Sequence, residues 1–141
     1  MSFAGISYLA VLIAAVAAWL ASAAWYMSLN RHYVAALGKT AEQMAADRKK
    51  PGAFLPFVYA FVANIIIAWM LAGLLGHLGP GQVTVRNAVI SALLLWFGLI
   101  LTTMGVNYSF ADRDRRLLLI DGGNWLLVLL VIGAVIGAIG V

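Results

Sequence analysis

From Phe54 to Gly76 the chain reads FLPFVYAFVANIIIAWMLAGLLG, without one Asp, Glu, Lys or Arg. An α-helix rises 1.5 Å per residue, so about 20 such residues cross the hydrocarbon core of a bilayer. Outward from this stretch the pattern repeats. Residues 1–30, 51–85, 87–111 and 122–141 are all free of charged side chains. The apolar cores within and beside them read 6–27, 54–76, 87–108 and 117–141. Lipid offers the backbone no hydrogen-bond partner, so each segment is expected to be helical. None shows the two-residue alternation of a membrane barrel strand. The expectation is a single all-α domain over residues 1–141, a four-transmembrane-helix bundle.

Composition agrees with this reading. The chain is 65% hydrophobic and 10% charged, with a mean hydropathy of +1.00. A soluble domain carries roughly 25% charged residues and could not bury this much apolar surface. A soluble enzyme, a disordered tail and a disulfide scaffold are excluded. The chain has no cysteine, which also excludes thiolate chemistry. The first segment contains Ala21-Ser22-Ala23 but lacks the basic start of a signal peptide, and is expected to stay as a helix.

Basic residues set orientation. Arg31, Lys39, Arg48, Lys49 and Lys50 follow the first segment, and Arg113, Arg115 and Arg116 follow the third, leaving Arg86 alone in the loop on the other side. By the positive-inside bias, both charged loops are expected in the cytoplasm and both termini outside. The net charge of +4 is then a topology signal, and no nucleic-acid partner is implied.

The first charged loop has a helical signature. Gly38 follows Ala36-Leu37 as a C-terminal glycine would, and Thr40-Ala41-Glu42-Gln43 fits a capping box. A short interfacial helix over 41–50 is expected, ended by Pro51-Gly52. Asn30-Arg31-His32-Tyr33 reads as a helix end among headgroups. Gly79-Pro80-Gly81 reads as a turn that makes the second and third helices antiparallel neighbours. The alternating charges of Asp112-Arg113-Asp114-Arg115-Arg116 read as local ion pairs.

Helices in lipid associate by close packing of small residues. Such stripes recur at Ala10, Ala14, Ala18 and Ser22, and at Ala60, Asn64, Ala68, Ala72 and Gly76. Gly133 and Gly137 form a Gly-x-x-x-Gly pair, for packing within the bundle or between subunits. The third segment offers only Ser91, Ala92, Gly98 and Gly105. Trp25, Tyr26 and Trp125 are expected in an interfacial aromatic belt, and Trp19, Trp69 and Trp96 deeper.

Polar residues inside the membrane are costly and therefore informative. Asn64 is the one strongly polar midspan residue; it reads as an interhelical bridge, or as a contact for a solute. A second set lies at one depth near the basic loops: Ser22, Tyr26, Thr103, Asn107, Asp121 and Asn124. These are expected to form a small polar pocket, with Arg31 paired to Asp121 at its mouth, or else separate interhelical hydrogen bonds. No phosphate loop, zinc-binding His-Glu-x-x-His or Gly-x-Ser-x-Gly elbow occurs. His32 and His77 fall on opposite sides of the membrane, so no metal site, cofactor or catalytic residue is expected.

Trp25-Tyr26, then Ala36-Leu37-Gly38, resemble the start of a bacterial integral membrane family named for domain of unknown function 1761. Trp96-Phe97-Gly98, Asn107 and Phe110 are similar too, as is the last segment with Gly123, Gly133 and Gly137. The resemblance implies a small four-helix integral membrane protein and carries no activity with it; the expected location is the bacterial inner membrane. The first expectation for function is a non-enzymatic module, either self-associating or an accessory subunit of a larger membrane complex. The second is an oligomeric channel or small-solute transporter lined by Asn64 and threonines. The third is an enzyme or carrier for a lipophilic substrate, using Arg31, Tyr26, Asn107 and Asp121.

Overall fold

A computed structural model of the protein describes residues 5–140. Among these residues all regular structure is helical. The first span is α1 (Tyr8–Ser28), followed by two short helices, α2 (Asn30–Ala36) and α3 (Ala41–Arg48). The second span is α4 (Leu55–His77). The third, Val85–Phe110, consists of α5 (Val85–Leu95), a π-helical segment (Trp96–Leu101) and α6 (Thr102–Phe110). The fourth is α7 (Arg115–Ile139). Four helices are thus long and apolar enough to cross a membrane, and they form a helical-bundle membrane protein.

Local chemistry sets where these helices start. Ser7 Oγ accepts from the Ala10 amide at 3.2 Å, Thr84 Oγ1 from the Asn87 amide at 3.2 Å, and the Asp114 carboxylate from the Arg116 amide at 2.8 Å. Each satisfies an amide that the helix itself leaves unpaired. Pro56, in the first turn of α4, lacks an amide that would have needed a partner. At α3, Thr40 Oγ1 accepts from the Gln43 amide and Gln43 Oε1 from the Thr40 amide, completing the capping box.

The helical break after α1 differs from the sequence reading, which took Asn30–Tyr33 as a helix end. The chain turns at Leu29 and begins α2 as a separate helix. Gly38, with φ +67°, then ends α2; its amide reaches the Ala35 carbonyl, and the Lys39 amide reaches that of Val34. That pair of bonds is a Schellman motif. The expected interfacial helix ends at Arg48, with Lys49 as its cap.

α7 is the centre of the bundle and packs most extensively on α1 and α5, while α1 also packs on α4. Most of the small-residue stripes are consumed here, although Gly76 is exposed with nothing within 4 Å of an added Cβ. Ala14, Ala18 and Ala68 are fully buried, with Ala10 and Ala72 at 1% exposure. A Cβ on Gly133 would lie 3.2 Å from the Ala88 carbonyl oxygen, and one on Gly137 would lie 2.6 Å from the Val85 Cα. The Gly-x-x-x-Gly face is therefore packed against α5 of the same chain. With small side chains the backbones approach closely, and dispersion does the work that the hydrophobic effect does in water. The third span is peripheral. Only 6% of its most apolar stretch is buried, against 39% for α7.

Candidate functional site

At the end of the bundle carrying the basic loops, side chains from α1 and the third span converge on α7 between Ile120 and Asn124. Tyr26 on α1 donates its hydroxyl to Asp121 Oδ1 at 2.6 Å, and Tyr108 on α6 donates to Asp121 Oδ2 at 2.7 Å. Ser22 donates to Asn124 Oδ1 at 2.7 Å. Two indoles complete the hub. Trp25 Nε1 donates to the Ile120 carbonyl at 3.0 Å, and Trp96 Nε1 to the Gly122 carbonyl at 2.7 Å. Asp121 lies six residues into α7, about 9 Å along its axis. It is the only acidic residue in the four spans.

The glycines of the Asp121-Gly122-Gly123-Asn124 run make room for neighbouring side chains. A Cβ on Gly123 would lie 2.7 Å from Trp25 Cζ2, and one on Gly122 would lie 3.2 Å from Leu101 Cδ1. Tyr33 on α2 stacks edge-on against Tyr26 with ring centroids 5.0 Å apart. Burial pushes the Tyr33 phenol up, and the nearby Asp121 charge adds to this. The phenol therefore stays protonated at neutral pH.

A cavity of about 360 Å³ lies beside the hub between α1 and α4. Trp19, Ser22, Tyr26, Tyr33 and Phe57 line it. Trp19 closes one wall by donating its indole N–H to the Phe57 carbonyl at 3.1 Å.

Of the residues expected to share a polar pocket, the structure brings together Ser22, Tyr26, Asp121 and Asn124. Thr103 and Asn107 are exposed and lie outside the hub; Tyr108 takes the place expected of Asn107. Arg31 is also exposed and does not pair with Asp121. The turn at Leu29 carries it away on α2, and tyrosine hydroxyls occupy both carboxylate oxygens. Asn64 is 2% exposed on the inward side of α4, along with Ala68 and Ala72. Trp25 and Tyr26 point into the bundle rather than forming a belt, and Trp125 packs against the core.

Tyr108, Trp96 and the two carbonyls of α7 escaped the sequence reading. The signal for them was the Asp-Gly-Gly-Asn run itself. Two glycines between two polar residues mark a place where neighbouring side chains reach a helix backbone. The arrangement does the chemistry of a clamp: neutral donors hold one carboxylate and two carbonyls. Among the described residues, no group of three or more His, Asp or Glu side chains is placed to hold a metal ion.

Residues 9–137 match the model of the family described as protein of unknown function (DUF1761). The chain belongs to this family. No curated protein and no solved structure matches it. In this DUF1761 chain, most of the residues that carried the resemblance fall at three places, while Ala36-Leu37-Gly38 ends α2 and Phe97 is exposed on the third span. Trp25, Tyr26, Trp96 and Gly123 are in the hub; Gly133 and Gly137 are in the contact between α5 and α7; Asn107 and Phe110 are exposed at the end of the third span.

Proposed function

We propose that the chain is a non-enzymatic membrane module that works by association, as a homo-oligomer or as an accessory subunit of a larger membrane complex. The supporting observation is the engagement of Asp121. The one acidic group of the spans gives both oxygens to tyrosine hydroxyls that tie α1 and α6 to α7. A carboxylate held this way fixes helices and is poorly placed to act as a base or to ferry protons. The surface we assign to a partner is the third span, the least buried of the four, where Leu94 and Phe97 are about two-thirds exposed. Lipid covers this face when no partner does. Asn64, buried inside the chain, does not offer itself to a pore shared between subunits. The lysine and arginine bias supports a bacterial inner-membrane protein with the basic loops in the cytoplasm and both termini across the membrane.

The test uses the absence of native cysteine. Single cysteines at Leu94 and Phe97 are oxidised in native membranes. A crosslinked dimer, or an adduct with another subunit, is the expected result. Monomer throughout, with a monomeric mass after gentle extraction, would overturn the reading.

A second reading is favoured by the cavity between α1 and α4. Its aromatic walls and polar back wall suit a carrier that holds a lipophilic molecule. Ala23→Trp would fill it. Loss of an organic ligand that co-purifies with the wild-type chain would favour this reading over the first.

A further inference from the structure

We infer that the groove between α2 and α3 is a binding site for one anionic phospholipid, with its phosphate held by Arg31 and Arg48. The groove encloses about 490 Å³ and is lined by Asn30, Arg31, Val34, Lys39, Met44 and Arg48, among others. No carboxylate lines it. Val34 and Met44, with neighbouring alanines, give it an apolar floor beneath a rim of three cations.

The charges of this rim are unequally committed. Lys39 is paired with Asp47 at 2.7 Å, and Asp47 also holds Lys50. Among the described residues, neither arginine of the groove is in an ion pair. Arg48 reaches only the neutral Asn30 Oδ1, at 3.4 Å. Two guanidiniums thus face a shared space without a counter-charge. A planar guanidinium fork matches the oxygens of a phosphate and is less strongly hydrated than an ammonium.

Position decides between a lipid and a soluble anion. One residue separates the first span from α2, and six separate α3 from the second span. Both helices are therefore tethered at the membrane surface, where lipid phosphates lie. The apolar floor has no use for inorganic phosphate, but it accommodates the glycerol and first methylenes of a lipid. Nothing in this inference depends on the role of Asp121.

The full-length chain in mild detergent is incubated with dioleoyl phosphatidylglycerol or with dioleoyl phosphatidylcholine, and bound lipid is counted by native mass spectrometry. One phosphatidylglycerol per chain is expected to be retained in preference to phosphatidylcholine. Arg31→Gln/Arg48→Gln is expected to lower that preference at least about tenfold, since both charge-assisted guanidinium–phosphate contacts of the groove are lost. Arg113→Gln/Arg115→Gln removes the same charge from the other basic loop and is expected to leave the preference intact. Met44→Glu retains the arginines but places a carboxylate on the floor, and is expected to lower retention as well. Equal loss in both arginine double variants would reduce the effect to general charge and overturn the site. So would displacement of the lipid by millimolar inorganic phosphate, which would make the ligand a soluble anion. Unchanged phosphatidylcholine retention and helical circular dichroism show that a variant is folded.

Discussion

Tyr26 donates its hydroxyl to Asp121 over 2.6 Å, joining α1 to α7 across 95 positions of sequence. Tyr108 completes the arrangement on the second carboxylate oxygen. A hydrogen bond to a charged group contributes about 1.5–3 kcal/mol in water-soluble proteins, while polar contacts between membrane helices average nearer 0.6 kcal/mol. Tyr26→Phe is expected to cost about 1 kcal/mol, and Asp121→Ala about 2–3 kcal/mol because two hydroxyls lose their acceptor. Steric trapping or reversible unfolding in micelles measures both. A double-mutant cycle of Tyr26→Phe with Asp121→Ala should give coupling of about 1 kcal/mol. Additive losses would show that the two residues act independently.

Glycines in this chain should divide sharply. At Gly137 an added methyl would meet the Val85 backbone at 2.6 Å, so Gly137→Ala must push α5 off α7. Overpacking of this kind costs about 1–3 kcal/mol. Gly105 on α6 has nothing within 4 Å of an added Cβ. Gly105→Ala should leave stability unchanged or raise it by up to about 1 kcal/mol through helix propensity. Thermal unfolding in one detergent compares the pair directly.

Asp47 titrates far below its ordinary value of 3.8, at about 2, because Lys39 and then Lys50 donate to its carboxylate. A depressed carboxylate stabilises the folded loop above the ordinary carboxylate range. That contribution is lost as pH falls from about 4 through about 2. The carboxyl carbon of Asp47, followed by NMR against pH, should show its midpoint near 2. Lys39→Gln should move the midpoint up toward the ordinary value.

Asp112 ends α6 with φ +49°, and the Arg113 amide bonds back to the Tyr108 carbonyl at 2.9 Å. Aspartate tolerates this left-handed conformation better than bulky side chains do. Asp112→Val is expected to cost about 1–2 kcal/mol, and Asp112→Gly to be neutral or mildly stabilising. Unfolding measurements in the same detergent should separate the two variants.

The four spans and the capped helix α3 were legible in the sequence because each rests on a local rule: charge-free length for the spans, and Thr40 facing Gln43 for the cap. Half of the hub was legible for a different reason. Distance from a helix end sets depth, and depth placed Ser22, Tyr26, Asp121 and Asn124 at one level. Which side of a helix faces inward is harder to read, because it depends on the turn angle being constant. The π-helical segment at Trp96–Leu101 shifts from i+4 to i+5 bonding, so the residues after it face differently from those of an unbroken α-helix. That shift accompanies the inward placement of Tyr108 and the exposure of Asn107. Arg31 was misplaced for a related reason, since nothing in Leu29 announces the turn that starts α2.

The hub also makes the bundle mechanically unequal along its length. The hydrogen bonds from α1 and the third span onto α7 crowd near the basic loops, whereas at the far half of α7 Gly133 and Gly137 lie against Ala88 and Val85 of α5 in close van der Waals contact. Directional bonds resist sliding and rotation; smooth small-residue contacts resist only separation. The helices therefore resemble tines fixed at one root. The helix spacing is thus pinned by directional bonds at the Asp121 end and set by close packing at the Gly133–Gly137 end.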